Sequence, residues 1–364
     1  MRVAILFNAI SEQAKTDELD VLVQLESVSS SLGRLGHESV KVPCDLDVRR
    51  IVDALDEFKP DAVFNLVECL DGYGRLIFLV PAVLDAKGVG YTGSPAEALF
   101  LTSHKVLAKE RIRAAGLPTP DWIGPWPGGG MAPIVERRAR SRKKASFIVK
   151  AVWEHASFGM DDDVVVRQAD DPKLMRMMEE WAPRLRGDCF AEEFVDGREF
   201  NISVIATADG PRVLPVAEIL FVDYPEGKPK IVNYKAKWEE DSIEYQSTPR
   251  SFDFPPEDEK LLKELGRISR GAWDLFALRG YARVDFRVDP RGKPYILEIN
   301  ANPCISPDSG FIAAAQQGGF DYDAVIRVIL EDAMRSPRVS PLNDTARSIE
   351  ETRFGGKRRK GVTR

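Results

Sequence analysis

The sequence predicts an α/β chain whose small parallel N-terminal sheet is covered by helices, followed by an α+β region built on antiparallel strands. Three observations carry this reading. Short apolar runs alternate with helical periodicity over residues 2–94. From residue 189 onward, longer strands follow one another across Asp-Gly turns. A composition of 44% hydrophobic and 30% charged residues in a chain of 364 belongs to a folded protein with room for two or three cores.

The elements follow in order. "RVAILF" (2–7) reads as a buried strand, and Leu19, Leu22, Leu25, Val28, Leu32 and Leu35 recur at helical spacing until Gly36 stops them. "SVKVP" (39–43), a helix near 48–58, "DAVFNLV" (61–67) and a helix over 74–87 leading to "VGYTGS" (89–94) continue the alternation, which implies parallel pairing. Gly88, Gly90 and Gly93 spell G-x-G-x-x-G, yet they follow a helix and run into Pro95, so a turn is expected there and not a dinucleotide site. The middle region holds a helix around 102–115, a Pro/Gly-rich loop (124–133), the strands "SFIVK" (146–150) and "DVVVR", and a helix near 172–182. Next come "CFAEEFV", "REFNISVIA", "RVLPVAEILFV", a helix over 256–277 and the hairpin "RVDFRVDPRGKPYILEINANP" (283–303). Residues 336–364, ending "GGKRRKGVTR", read as a disordered basic tail in preference to a nucleic-acid arm.

Composition also excludes classes. A net charge of -6 argues against nucleic acid as a partner. Cys44, Cys69, Cys189 and Cys304 show no C-x-x-C spacing, so reduced thiols in a cytoplasmic chain are expected, with neither zinc nor disulfides. The N-terminus enters "RVAILFN" directly and no apolar run approaches the ~18 residues of a membrane span, so no membrane partner is expected.

The hairpin carries the chemistry. Pairing Asp289 with Pro294 sets Asp285 opposite Glu298 and Arg283 opposite Asn300 on one face, leaving Val284, Phe286, Leu297 and Ile299 on the other. Opposed carboxylates repel at Cβ separations of ~4.5–5.5 Å. Either they lie on a solvated face with Arg283 and Arg287 as partners, or they hold Mg²⁺ together with substrate phosphates. Lys150, just before a loop with Ser157 and Gly159, and Lys105, opening a helix after "LTSH", can reach phosphate oxygens. Each alone is equally a snorkelling surface lysine. No P-loop sequence occurs.

In order and spacing, Lys105, the "IVK" strand, "EEFVDGREFN" and "RVDF…ILEINANP" resemble the ATP-grasp superfamily. With "YTGS" and "AKW" added, the chain looks most like the D-alanine–D-alanine ligase family over roughly residues 1–330. The resemblance implies an ATP-grasp fold with a pre-ATP-grasp α/β domain at 1–101, a central subdomain at 102–188 and a C-terminal, metal-bearing subdomain at 189–335. It implies an ATP-dependent carboxylate–amine ligase that forms a peptide-type bond through an acyl phosphate. The alternative is an ATP-binding module without ligase turnover.

By motif position, Lys105 and Lys150 fall on the phosphates with Ser157 in the adjoining loop, while Glu192, Glu193, Phe194, Val195 and Glu199 fall on adenine and ribose. Lys237 matches the mobile-loop lysine on the γ-phosphate, and a loop around 225–249 is expected to close over the site. Asp285, Glu298 and Asn300 match the ligands of two Mg²⁺ ions, with Mn²⁺ as a substitute; Arg283 matches the arginine on the transferring phosphoryl group, and Ser309 the serine on the acceptor carboxylate. Small amino-acid-like substrates and a homodimer are also implied.

The departures are equally specific. No glutamate in "NAISEQAKTDELD" lines up with the family's ammonium-binding one, and Asn65 and Glu68 stand where a His-Gly pair is usual. Ala156 and Trp238 replace a serine and tyrosine that link the closed loop, and Cys304 replaces a glycine. A Cys304–His155 nucleophile is a third, disfavoured reading, because a thiol in such a place is more often inert.

Overall fold

The computed structural model describes residues 1–10, 16–126, 145–154, 159, 164–166, 171–224 and 226–335. Strands β1 (Arg2–Asn8), β2 (Glu38–Cys44) and β3 (Ala62–Asn65) form a parallel sheet in the order β2-β1-β3, linked by helices α1 (Thr16–Arg34) and α2 (Val48–Phe58). After α3 (Leu79–Lys87), Tyr91 makes only a single bridge to Val63, so "VGYTGS" stops short of a fourth strand. Gly88 caps α3 in the left-handed region. Gly93 also has positive φ, and a Cβ on Gly280 would stand 2.8 Å from the Gly93 nitrogen. The glycine triplet therefore serves a turn and a close backbone contact.

Helix α1 buries Leu25, Val28 and Leu32 of the expected stripe but not its first two leucines. Val21, Leu25, Val28 and Leu32 are buried together with Gln24 and Ser31, whereas Leu19 and Leu22 are exposed. At ~100° per residue Leu19 falls on the opposite side of the helix from Val21 and Leu25.

The middle of the chain supplies α4 (Ala96–Ser103), α5 (Lys105–Ala114), β4 (Trp122–Trp126), β5 (Phe147–Ala151), β6 (Val165–Val166), α6 (Asp171–Trp181) and β7 (Cys189–Glu193). Its antiparallel sheet runs β4-β7-β5-β6. The helix expected around 102–115 starts at Lys105, because extended His104 separates it from α4.

A third sheet contains β8 (Arg198–Thr207), β9 (Gly210–Val213), β10 (Ala217–Ile219), β11 (Arg250–Ser251), β12 (Tyr281–Val288) and β13 (Pro294–Asn300). It is antiparallel in the order β11-β10-β8-β12-β13, with β9 also on β8. The single strand expected over 212–222 is divided between β9 and β10 around Pro215, which has no N–H to give a ladder. Short helices α7 (Tyr234–Trp238) and α8 (Ile243–Gln246) lie between β10 and β11; α9 (Glu259–Leu275), α10 (Gly310–Gln317) and α11 (Tyr322–Arg335) complete the chain described.

One face of the third sheet is apolar. Phe200, Ile202, Val284 and Phe286 pack against Leu265, Ile268, Ala272 and Trp273 of α9. Residues of α10 and α11 pack with α1, β1 and β3, which fixes the parallel sheet to the third one. The polar face of the third sheet is left to face the central sheet across a cavity. Among the described residues no helix is long and apolar enough to cross a membrane.

Candidate active site

The cavity has a volume of about 950 Å³. Residues of β5 and β7 line one side, residues of β8, β12 and β13 the other, and α7, α8 and the start of α10 close its margins.

The hairpin meets the predicted register by an unpredicted route. Val288 pairs with Pro294, so Asp289–Lys293 make a longer turn, in which the Asp289 carboxylate accepts the N–H groups of Arg291 and Lys293. A β-bulge then restores the offset, and Asp285 faces Glu298 while Arg283 faces Asn300. The bulge corrects one expectation. Leu297 leaves the core and lines the cavity beside Glu298, and Ile296 takes its place among the buried residues.

Asp285 is densely coordinated by protein groups. Arg283 donates to both carboxylate oxygens, at 2.7 and 2.8 Å, and the amides of Asn201 and Asn300 donate at 2.8 and 3.0 Å. Lys105 stands 3.9 Å from Glu298. Two cations thus offset the repulsion between the facing carboxylates. Arg287 takes no part in this, since it pairs with Glu199. Asp285, Glu298 and the Asn300 amide oxygen are hard oxygen donors of the kind Mg²⁺ prefers. Among the described residues no three His, Cys, Asp or Glu side chains gather into a cage. A Mg²⁺ here would complete its shell with phosphate oxygens and water, the usual arrangement for that ion.

The lysines converge from other elements. His104 caps α5 by accepting the Leu107 N–H at 3.1 Å, and its ring packs edge-on against Trp153 at 4.4 Å. This places Lys105 at the cavity wall. Burial lowers its pKa, Glu298 opposes the shift, and Lys150 and Lys237 add to it. The three ammonium groups therefore share one field, suited to a polyanion.

Lys150 also lies 2.6 Å from Glu192, whose other oxygen is 2.6 Å from Lys109. Glu192 and Lys109 are each 1% exposed. Burial pushes the Glu192 carboxyl up, but the two ammonium groups outweigh it and hold the pKa below the ordinary value. Lys109 is pushed down to about 8 by burial. The sequence reading missed Lys109, although its place between Val106 and Ile112 on the buried stripe of α5 is a legible signal.

A second group, to which sequence reasoning assigned no substrate contact, surrounds Asp20, Glu68 and Cys304 elsewhere in the cavity. Gln24 of α1, itself buried, donates to Asp20 at 3.3 Å and to Glu68 at 3.0 Å, and its carbonyl accepts the Ile305 N–H. The Cys304 thiol donates to Asp20 at 3.0 Å. Burial, then the charges of Glu68 and Asp20, push that thiol well above its ordinary value, which removes the basis for a nucleophilic thiolate. His155 and Ser157 lie outside the described residues, as does 336–364.

Ser309 caps α10, its hydroxyl oxygen accepting the Ile312 N–H at 3.3 Å and its O–H remaining able to donate. Arg250 lies against the same helix start, where a Cβ on Gly310 would stand 3.2 Å from its guanidinium. The segment expected to be a closing loop contains α7 and α8, capped by Asn233 and Ser242, and presents Lys237 and Trp238 to the cavity. The indole N–H of Trp238 is buried with no hydrogen-bond partner among the described residues. Glu193 at the end of β7 and Phe194 and Val195 just after it line the cavity as well.

A family model described as "D-ala D-ala ligase C-terminus" matches residues 112–331. An uncharacterized protein of Sinorhizobium fredii, y4sG, is 31% identical over 85% of this chain and 87% of its own length. The D-alanine--D-alanine ligase of Thermotoga maritima is 28% identical over 92% of this chain and 97% of its own. Among solved structures, the D-alanine--D-alanine ligase of Bacillus anthracis complexed with ATP superposes with a TM-score of 0.67 at 20% identity, covering 92% of this chain and 98% of that one. The ligase of Coxiella burnetii gives 0.64 at 17% identity, covering 96% and 99%. These likenesses make the three-sheet architecture an ATP-grasp fold. With a family match over more than half of its length, the chain belongs to the D-alanine–D-alanine ligase family.

Proposed function

We propose that the protein is an ATP-dependent ligase joining the carboxylate of one amino-acid-like molecule to the amine of another. The observation that carries this is the gathering of Lys105, Lys150 and Lys237 in one cavity with Arg283, Asp285, Glu298 and Asn300. A donor carboxylate oxygen attacks the γ-phosphorus, the bond to the β-phosphate oxygen breaks, and ADP leaves an acyl phosphate. The acceptor amine then attacks the carbonyl carbon, loses a proton to solvent and expels phosphate. Such chemistry is governed by positioning and charge stabilisation, which is what these side chains offer.

In this reading the three lysines hold the phosphates, and Leu297 forms an apolar floor for the base beside the Glu193–Val195 backbone. Because the Glu192 carboxylate is committed to two lysines, its part in base recognition falls to its backbone. Glu199 holds the ribose hydroxyls. Asp285, Glu298 and Asn300 would hold Mg²⁺, which when bound neutralises phosphate charge. Arg283 exchanges Asp285 for the transferring phosphoryl group. Asp20 and Glu68 receive the donor's ammonium group, while Ser309, Arg250 and the α10 N-terminus receive the acceptor's carboxylate. The α7–α8 segment keeps water from the acyl phosphate.

The second reading is ATP binding without ligation. It is favoured by one observation: Arg283 spends both arms of its fork on Asp285. The test incubates pure protein with ATP, Mg²⁺ and pools of D- and L-amino acids, following phosphate release and product mass. Amine-dependent phosphate release with a condensed product is expected; ATP binding without it in every pool would leave only the second reading. Full activity in an Asp285→Asn, Glu298→Gln double variant would sink the metal assignment.

A further inference from the structure

Building on the ribose role proposed for Glu199, we propose that Arg287 is a positioning residue that holds this carboxylate in place and thereby sets selection for the ribose hydroxyls. Arg287 is 3% exposed and sits directly opposite Glu199 in the register of β12 and β8. Its Nη2 lies 2.8 Å from Glu199 Oε2. Nη1 donates to the Gly197 carbonyl at 3.0 Å, and Nη2 also donates to the carbonyl of Lys230. The guanidinium carbon stands 5.7 Å from the ring centre of Phe194 and 5.4 Å from that of Phe221. One planar group thus joins the hinge after β7, the carboxylate on β8 and the segment that leads into Lys237.

The charge pattern explains why an arginine is needed. Glu199 is 9% exposed, so burial drives its carboxyl toward the neutral form, and the nearby Asp285 pushes the same way. Arg287 is the strongest opposing charge. A lysine would restore the charge but cannot reach three acceptors in one plane. Without the fork, Glu199 loses both its fixed direction and its full charge as a hydrogen-bond acceptor.

The test compares the affinity of the full-length protein for ATP and for 2′,3′-dideoxy-ATP with Mg²⁺ present, by equilibrium titration that needs no turnover. The wild type should prefer ATP by on the order of 10- to 100-fold, the value of hydrogen bonds to a charged group. Arg287→Lys and Arg287→Met should each reduce the preference to about threefold or less while changing the affinity for the dideoxy nucleotide by less than about threefold. If Arg287→Met fails to fold with Glu199 left buried and unpaired, Arg287→Met combined with Glu199→Gln removes both charges and should behave as Glu199→Gln alone. Equal weakening of both nucleotides in the Arg287 variants would mean a merely structural role and overturn the inference. Glu199→Gln retaining the full preference would remove the ribose reading itself, whereas loss there with preference kept in the Arg287 variants overturns only the inference.

Discussion

Glu192 bridges two lysines, so the buried cluster of Lys109, Glu192 and Lys150 carries two positive charges and one negative. This count predicts an asymmetry between two substitutions. Glu192→Gln leaves two ammonium groups side by side without a counter-charge and should cost about 3–5 kcal/mol of stability, the range for breaking a buried pair. Lys109→Met leaves the neutral Lys150–Glu192 pair. It loses the hydrogen bond to Thr119, 2.7 Å long, worth about 1.5–3 kcal/mol for a charged donor. Against this, keeping Lys109 charged in the fold at neutral pH costs about 3 kcal/mol, since its pKa falls from 10.5 to about 8. The two nearly cancel, so Lys109→Met should stay within about 1 kcal/mol of wild type. Between pH 8 and 10.5 the unfolded chain binds a proton at Lys109 that the folded chain has released, so the contribution of this one group to stability rises with pH there. Lys109→Met should remove that contribution, so the stability of wild type relative to the variant should increase from pH 8 to 10.5. Urea midpoints measured from pH 7 to 10.5 check both claims. Lys109→Met as unstable as Glu192→Gln, or showing the same pH dependence as wild type, would refute the charge count.

Two further predictions concern substrates. Glu68→Gln and Asp20→Asn should raise the donor KM by about 10-fold or more, as expected for lost charged hydrogen bonds, with the KM for ATP changed less than about twofold; steady-state kinetics with each substrate varied separately decides, and a rise confined to ATP would contradict the donor assignment. Leu297→Ala should show the reverse pattern, weakening ATP by about 1–2 kcal/mol through lost apolar burial and leaving both amino-acid KM values in place. An unchanged ATP affinity would mean that the bulge residue lies off the nucleotide.

The sequence was informative wherever a period was strong. Strand alternation correctly faced Asp285 with Glu298 and Arg283 with Asn300. It failed at Leu297 because a longer turn offsets the pairing by one residue over three pairs and a bulge then restores it, an error with no net trace at Asp285, Glu298 and Asn300. Spacing alone could not assign Arg287, whose partner Glu199 is 88 residues away in sequence but one strand away in space. Asp20 and Glu68 were hidden for a similar reason. They come from α1 and from the turn after β3, and only the packing of the parallel sheet against α10 and α11 brings them to the cavity. Gln24 offered a clue, since a buried amide on an apolar stripe needs polar partners.

The distribution of departures from the family pattern has a physical logic. In the proposed function the lysines, the paired carboxylates and the arginine meet a triphosphate, whose charge is the same whichever molecules are joined. Amino-acid substrates differ in the side chains and charges they bring. In this chain the altered positions Glu68 and Cys304 stand together with Asp20, and Cys304 stays a neutral thiol because it is buried and, after that, because the two acids lie beside it. Neutral donors, the Gln24 amide and the Cys304 thiol, hold Asp20, and the same amide holds Glu68. Neutral donors orient a carboxylate without cancelling its charge, which a lysine or arginine in the same place would do. This end of the cavity therefore keeps negative potential available, which in the proposed function suits a cationic group on the donor substrate.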